Sequence, residues 1–309
     1  MSESLHILNG DSTLLLFNKT HFQGDTFVWK EVLSEGPVHP EFASEQFWRE
    51  REAFMSQYFS LDKGRYQRET ILPFKELESK ISTYQDITLW FEYDLFCQIN
   101  MMSLIYWLKG VRVEGQTISM VCSGKIEGSE KLLGLGELSI KQFEDQYNNR
   151  LKLNTREFEF ASDIYHSYTS PDLSDLFTYM LMPSDEFIYL AEAISTHLKR
   201  IPSSSSGLTE IEHQMLSFIQ EGVKDDGELI GKMLKWQVYY GFGDLQYFKK
   251  LKDLSPLFED FDTLKLKSEP ELSNAINGLN RNYHLGGVKV ANWVYNEGTK
   301  EVENAPSKG

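Results

Sequence analysis

Cysteine is almost missing from this chain. Cys97 and Cys122 are 2 cysteines in 309 residues. They lie far apart and lack paired-thiol spacing, which excludes a disulfide framework and a thiolate metal cluster built on neighbouring cysteines. Basic charge is also short: 31 Lys and Arg face 46 Asp and Glu, for a net charge of -15. Non-specific nucleic-acid binding and docking to an anionic membrane both need clustered cations, so the balance argues against each. No apolar run reaches membrane-spanning length, and residues 1–3 offer no basic leader. The 7 histidines show no His-x-x-x-His spacing. The expectation is a cytoplasmic protein. The hydrophobic share of 41% and aromatic share of 13% supply real cores, and the length allows two domains.

The chain is organised around LHILNGDS, residues 5–12. Leu5, Ile7 and Leu8 read as a buried strand. Gly10 opens a turn, and Asp11 or Ser12 is placed to cap a helix over residues 13–18. Strands are predicted again at residues 26–32, 87–93 and 117–122, with helices at 43–59, 74–82 and 95–109, the last stopped by Gly110. Strands alternating with helices imply an α/β fold with a Rossmann-like, mostly parallel sheet and flanking helices. In such sheets ligands bind outside the carboxyl ends of the strands.

From residue 138 the pattern turns helical, with helices expected at 139–147, 154–167 and 184–198. PSSSSG at 202–207 reads as a linker. Beyond it, Thr209 and Glu212 have capping-box spacing. Helices at 210–222, 226–234 and 244–254, a final helix at 269–279 and a hairpin over 285–295 outline a winged-helix-like unit. The tail after Gly298 reads as frayed. The resulting division is 1–137 (Rossmann-like), 138–201 (a helical segment packed on it) and 207–298 (winged-helix-like).

Several stretches occur in a familiar order: HILNGDS, VWKEVLSEGP, LWFEYDLFCQINMM, GLGELS, LTEIEHQML, YGFGDLQYF and LGGVKV. Together they resemble a bacterial family known as domain of unknown function 1835, with its C-terminal companion, domain of unknown function 3658, over residues 5–295. The resemblance implies a two-part architecture and a cytoplasmic bacterial setting. It carries over no activity, substrate or catalytic residue.

The strongest chemical candidate is acidic. Parallel neighbouring strands would gather Asp11, Glu31 or Glu35, and Glu92 or Asp94 at their carboxyl ends. Such carboxylates can hold a divalent cation such as Mg²⁺, with Asp11, Glu92 and Asp94 as ligands. They can also divide into an acid and a base, because close like charges push their pKa values apart. The competing reading makes Asp11 and Asp94 helix N-caps. Asn9 and Gly10 would touch a ligand. Arg51 falls within the apolar face of its helix. It either lays its stem there with its head in water or clamps an anion. His39, after Gly36-Pro37, is a further ligand-binding candidate.

Gly10-Asp11-Ser12 also looks like the nucleophile block of SGNH hydrolases, with Asp163 and His166 as partners. The Gly-x-Asn-Asp block for an oxyanion hole is missing. A dinucleotide site is disfavoured, because the first turn has one Gly where Gly-x-Gly-x-x-Gly is needed. A metal-bridged phosphate, with Arg51, Arg65 or Arg68 as counter-charges, stays open. Residues 207–268 hold 8 Lys against 11 acidic residues, about -3, which suits a protein-docking unit better than a DNA reader. Two functions compete: a metal-assisted hydrolase or transferase acting through Asp11, Ser12, Glu35 and Asp94 on a small molecule, and a ligand-sensing or interaction protein. The sequence does not set the oligomeric state.

Overall fold

The structure, a computed structural model, describes residues 3–182 and 184–306. The first unit runs from β1 (Ser4–Leu8) through α1 (Asp11–Phe17) to β2 (Asp25–Val28). An irregular stretch leads to β3 (Gly36–Pro37), α2 (Glu45–Tyr58), α3 (Lys63–Tyr66), a π-helical turn and α4 (Leu72–Lys80). Then β4 (Asp86–Glu92), α5 (Leu95–Val111) and β5 (Thr117–Ser123) repeat the strand–helix–strand order. They are followed by α6 (Ile140–Asn148), β6 (Leu151–Lys152), α7 (Thr155–Thr169), α8 (Ser174–Met180) and α9 (Leu190–Leu198). The C-terminal part begins with α10 (Glu210–Gln220), α11 (Asp226–Trp236) and α12 (Asp244–Asp253). It continues through β7 (Phe258–Asp260), β8 (Lys265–Leu266) and α13 (Glu269–Asn277). Last come β9 (His284–Gly286), β10 (Val288–Lys289), β11 (Trp293–Asn296) and β12 (Glu301–Asn304).

The main sheet has the order β2-β1-β4-β5-β6. Its first four strands are parallel, and β6 closes one edge antiparallel. Ile87, Leu89, Trp90 and Phe91 of β4 are fully buried, as a strand covered on both faces requires. Burial of each such side chain is worth ~1.5–3 kcal/mol. Helix α5 is apolar nearly all round and packs on β4, α7 and α9. One continuous apolar core extends from Leu5 to Trp293, and a smaller one lies under α1 and α6, around Trp90 and Phe143.

Several expectations need correction. Strand β2 stops at Val28 because its neighbour β1 ends at Leu8, whose carbonyl accepts the Trp29 N–H at 2.8 Å. Beyond that point residues 29–39 run mostly through the interior, irregular except for the two residues of β3. Buried backbone needs partners, and side chains supply them here. The carbonyls of Glu31, Leu33, Ser34 and His39 accept from Asn100, Tyr168, Arg200 and Tyr165. Gly110 does not end α5, since Arg112 N–H still donates to Leu108 O at 2.9 Å. A glycine in an exposed last turn costs only about 1 kcal/mol. The helix expected from residue 184 starts at Leu190, because Ser184 Oγ accepts from the N–H groups of Glu186 and Phe187 and holds a turn instead.

Residues 202–207 form an ordered turn, tied by Ser203 N–H to Leu208 O and Ser204 N–H to Tyr295 O. A first antiparallel pair, β7–β8, already follows the three helices, ahead of the hairpin expected over 285–295. In that later stretch β9 pairs with β10 on one side and, in parallel, with β3 on the other. The tail is not frayed over residues 301–304, because β12 pairs with β11.

Candidate functional site

The chain passes from β1 to β2 on one side and reaches β4 on the other. The connections therefore diverge between β1 and β4, and in sheets of this topology the carboxyl ends of such a strand pair are where a ligand crevice forms. Asn9 follows β1, and Glu92 is the last residue of β4. Asp94 is the N-cap of α5, and its Oδ1 accepts the Cys97 N–H at 2.8 Å. This satisfies one of the orphan donors at the helix start. It also brings Cys97, one turn in, beside the cap. One ligand atom each from Glu92, Asp94 and Cys97 lies within 4.8 Å of the others. Asn9 Nδ2 donates to Cys97 Sγ at 3.3 Å, and Asn9 Oδ1 accepts from Thr13 Oγ1 at 2.5 Å. Glu92 Oε1 accepts the Leu135 N–H at 2.8 Å.

These groups are crowded, Asp94 and Cys97 buried and Glu92 half-buried, and each can carry only negative charge. Among the described residues neither Glu92 nor Asp94 has an ion-pair partner. Burial, with the Glu92 carboxylate adding to it, pushes the Asp94 carboxyl from its ordinary 3.8 up to about 7, against the pull of the Cys97 N–H. Burial likewise raises Glu92, opposed by Asn9 and the Leu135 N–H. It holds the Cys97 thiol well above its usual range, with Asp94 and Glu92 contributing. A site like this must carry protons or a cation. Gln98 sits just below it. Its Nε2 donates to Glu92 O at 2.7 Å and to Cys122 Sγ at 3.2 Å, and its buried Oε1 has no partner.

Distant segments close the crevice. Leu95 N–H and Phe96 N–H donate to the carbonyls of Tyr239 and Tyr240, at 2.6 and 3.3 Å. Gly241, at φ +68°, lies so near Asp94 that a Cβ there would meet Asp94 Cγ at 2.3 Å. Tyr93 makes edge contacts with Tyr189 and Tyr239 at the rim.

The other expected residues lie elsewhere. Gly10, not Asp11 or Ser12, takes the N-cap position of α1, so Asp11 and Ser12 are its first helical residues. Asp11 is exposed and pairs with Lys30 at 3.5 Å, and Ser12 faces Gly136. Glu35 is buried in an ion pair with Arg200 at 2.7 Å. It therefore does not share a hollow with Asp11 and Asp94.

Arg51 neither snorkels nor awaits an anion. Its guanidinium is fully buried and donates to Glu31 Oε2 at 2.7 Å and to the carbonyls of Val32, Glu35 and Pro37. His39 Nδ1 accepts the Glu41 N–H within a turn. Asp163 and His166 lie on the exposed face of α7, with His166 against the Tyr106 ring. Arg65 and Arg68 pair at the surface with Glu69 and Asp62. Sequence reasoning missed Cys97. The signal was present in Asp94-x-x-Cys97, an N-cap and its third helical position, whose side chains share the first turn.

The sequence matches no family model and no curated protein. Among solved structures, the chain is similar to the DNA-binding, cleavage and re-ligation domain of Plasmodium falciparum topoisomerase II, at a TM-score of 0.48 and 12% identity. The match covers 83% of this chain and 42% of that one. Likeness at this level assigns no function.

Proposed function

We propose that the crevice between β1 and β4 holds a divalent transition-metal ion on Glu92, Asp94 and Cys97, and that it serves hydrolysis or group transfer on a small substrate. The observation that carries this reading is the convergence of two carboxylates and a thiol within 4.8 Å, two of the three buried, with no ion-pair partner for either carboxylate among the described residues. The donor set decides the ion. Mg²⁺ takes oxygen ligands in octahedral geometry, whereas a mixed carboxylate–thiolate set suits Zn²⁺. Zinc is therefore preferred over the Mg²⁺ expected from carboxylates alone. Glu92, Asp94 and Cys97 would hold such an ion, which would supply Lewis acidity toward a water or substrate oxygen. The chain's own residues hold the geometry. Asn9 orients the Cys97 sulfur, the Cys97 N–H fixes Asp94, and Leu135 N–H fixes Glu92. Burial favours the protonated forms of Cys97 and Asp94, so binding would release protons and strengthen with pH.

Titration with cobalt(II) tests the proposal. One equivalent should give a thiolate-to-cobalt charge-transfer band that zinc abolishes. Cys97→Ser should lack the band, and Asp94→Asn should weaken binding. Absence of stoichiometric binding by cobalt, zinc and manganese would refute the reading.

The finer fold assignment belongs to the same proposal. The order β2-β1-β4-β5 supports a Rossmann-like reading of the N-terminal part, and α10–α12 followed by β7–β8 supports a winged-helix-like reading of the C-terminal part. One observation favours a second function, protein docking. Leu234, Val238, Leu245 and Phe248 leave apolar surface exposed on and around α11 and α12. A chain that enters a stable complex while binding no metal would favour that function.

A further inference from the structure

We propose that the cleft between α2, α12 and residues 279–284 is a second ligand site, separate from the β1–β4 crevice, which takes a small aromatic carboxylate whose head group pairs with Lys250. The cleft has a volume of about 590 Å³, within the range of small-molecule sites. Its floor is Glu35, Gly36 and Pro37, with Gly36 at φ +73° packed under the Phe54 ring. Apart from Lys250, its cations are spent. Arg281 donates to both carboxylate oxygens of Glu212, at 2.6 and 2.8 Å, and Lys249 pairs with Asp253. Glu35 on the floor is held by Arg200.

Lys250 stands apart. Among the described residues no carboxylate lies within ion-pair distance of its ammonium, and no hydrogen bond engages it. It sits 5.3 Å from the Tyr283 ring centroid and 6.0 Å from that of Tyr58. The Tyr58 hydroxyl, shielded from water, has no partner either. The half-buried ammonium feels the Glu35 carboxylate across the cleft but has no direct partner, and an anion entering the cleft would supply one.

The rest of the lining selects the anion. Phe54 and Tyr58, stacked on each other, and Tyr283 give the cleft an aromatic wall for a flat apolar body. Glu35, Glu50, Glu212 and Asp253 outnumber Lys249, Lys250 and Arg281. A doubly charged phosphate is therefore repelled more than a monocarboxylate of the same shape.

The test compares phenylacetate with phenyl phosphate on the full chain, by calorimetry and thermal shift. Wild type should bind phenylacetate saturably, with a Kd at or below the millimolar range and a raised melting temperature. It should bind phenyl phosphate more weakly. Lys250→Met should lose the phenylacetate shift while melting close to wild type without ligand, because the ammonium makes no hydrogen bond or ion pair and the Met stem keeps its packing. Tyr58→Phe should weaken binding and leave the ligand-free melting temperature unchanged. Three results would overturn the proposal: no saturable binding to wild type, equal binding by Lys250→Met, or a stronger preference for phenyl phosphate. A ligand-free Lys250→Met protein that melts well below wild type would also overturn it, by making Lys250 a packing residue.

Discussion

Replacement of Arg51 by Met keeps most of the buried stem and removes the guanidinium. Four interactions disappear: the ion pair with Glu31 and the hydrogen bonds to Val32, Glu35 and Pro37 carbonyls. Both charged side chains are fully buried, so water cannot substitute without loosening residues 29–39. A buried acceptor left unpaired costs ~1–3 kcal/mol, and breaking a buried pair costs ~3–5 kcal/mol. The lower ends of these ranges already combine to about 6 kcal/mol, comparable to a typical total stability of about 5–15 kcal/mol. Urea denaturation followed by circular dichroism should therefore show Arg51→Met unfolded or barely folded. Adding Glu31→Gln should restore about 2 kcal/mol, since the stranded charge is gone and the amide oxygen still accepts from Tyr66. An Arg51→Met protein within about 1 kcal/mol of wild type would show that the guanidinium does not hold this loop.

Three further predictions concern single residues. His197 is buried with both ring nitrogens unpartnered, and burial, with Arg200 adding, holds it down from 6.5 to about 3. The unfolded chain takes up that proton first, so stability falls as pH drops from about 6.5 towards 3, by up to about 4 kcal/mol. His197→Leu should flatten this part of the melting-temperature profile, and an unchanged acid slope would count against it. In metal-free protein Asp94 has the opposite sign. The unfolded chain loses its proton near 3.8 and the folded one near 7, so stability falls as pH rises between these values, by up to about 4 kcal/mol. Asp94→Asn keeps the cap and should be more stable than wild type at pH about 8 in chelator; equal stability there would refute the shift. Gly241→Ala places a Cβ against Asp94 at positive φ. It should lower stability by about 2 kcal/mol or more and weaken metal binding, both measurable by thermal melts with and without zinc.

Much of the frame was legible in the residues themselves. The four parallel strands, the all-round apolar α5 and the caps at Asp94 and Thr209 follow from local patterns, because apolar runs and capping spacings act within a few residues. The same local logic failed at residues 29–39. TFVWKEV has strand character, yet its second half leaves the sheet, and the carbonyls of Glu31, Leu33 and Ser34 accept from Asn100, Tyr168 and Arg200, which are 69 to 166 residues away. Arg51 shows the limit most clearly. Its place on an apolar helix face could be read, but its partners could not.

The acidic residues divide along the same line. By sequence alone Glu31, Glu35, Glu92 and Asp94 all follow strand-like runs and look equivalent. Chain topology separates them: Glu31 and Glu35 meet Arg51 and Arg200, while Glu92 and Asp94 meet Cys97 and, among the described residues, pair with no cation. Local sequence determined which residues could carry charge into the interior. Only the packing of remote segments, through the counter-ions it brought or withheld, decided where that charge is balanced and where it is left to a proton or a ligand.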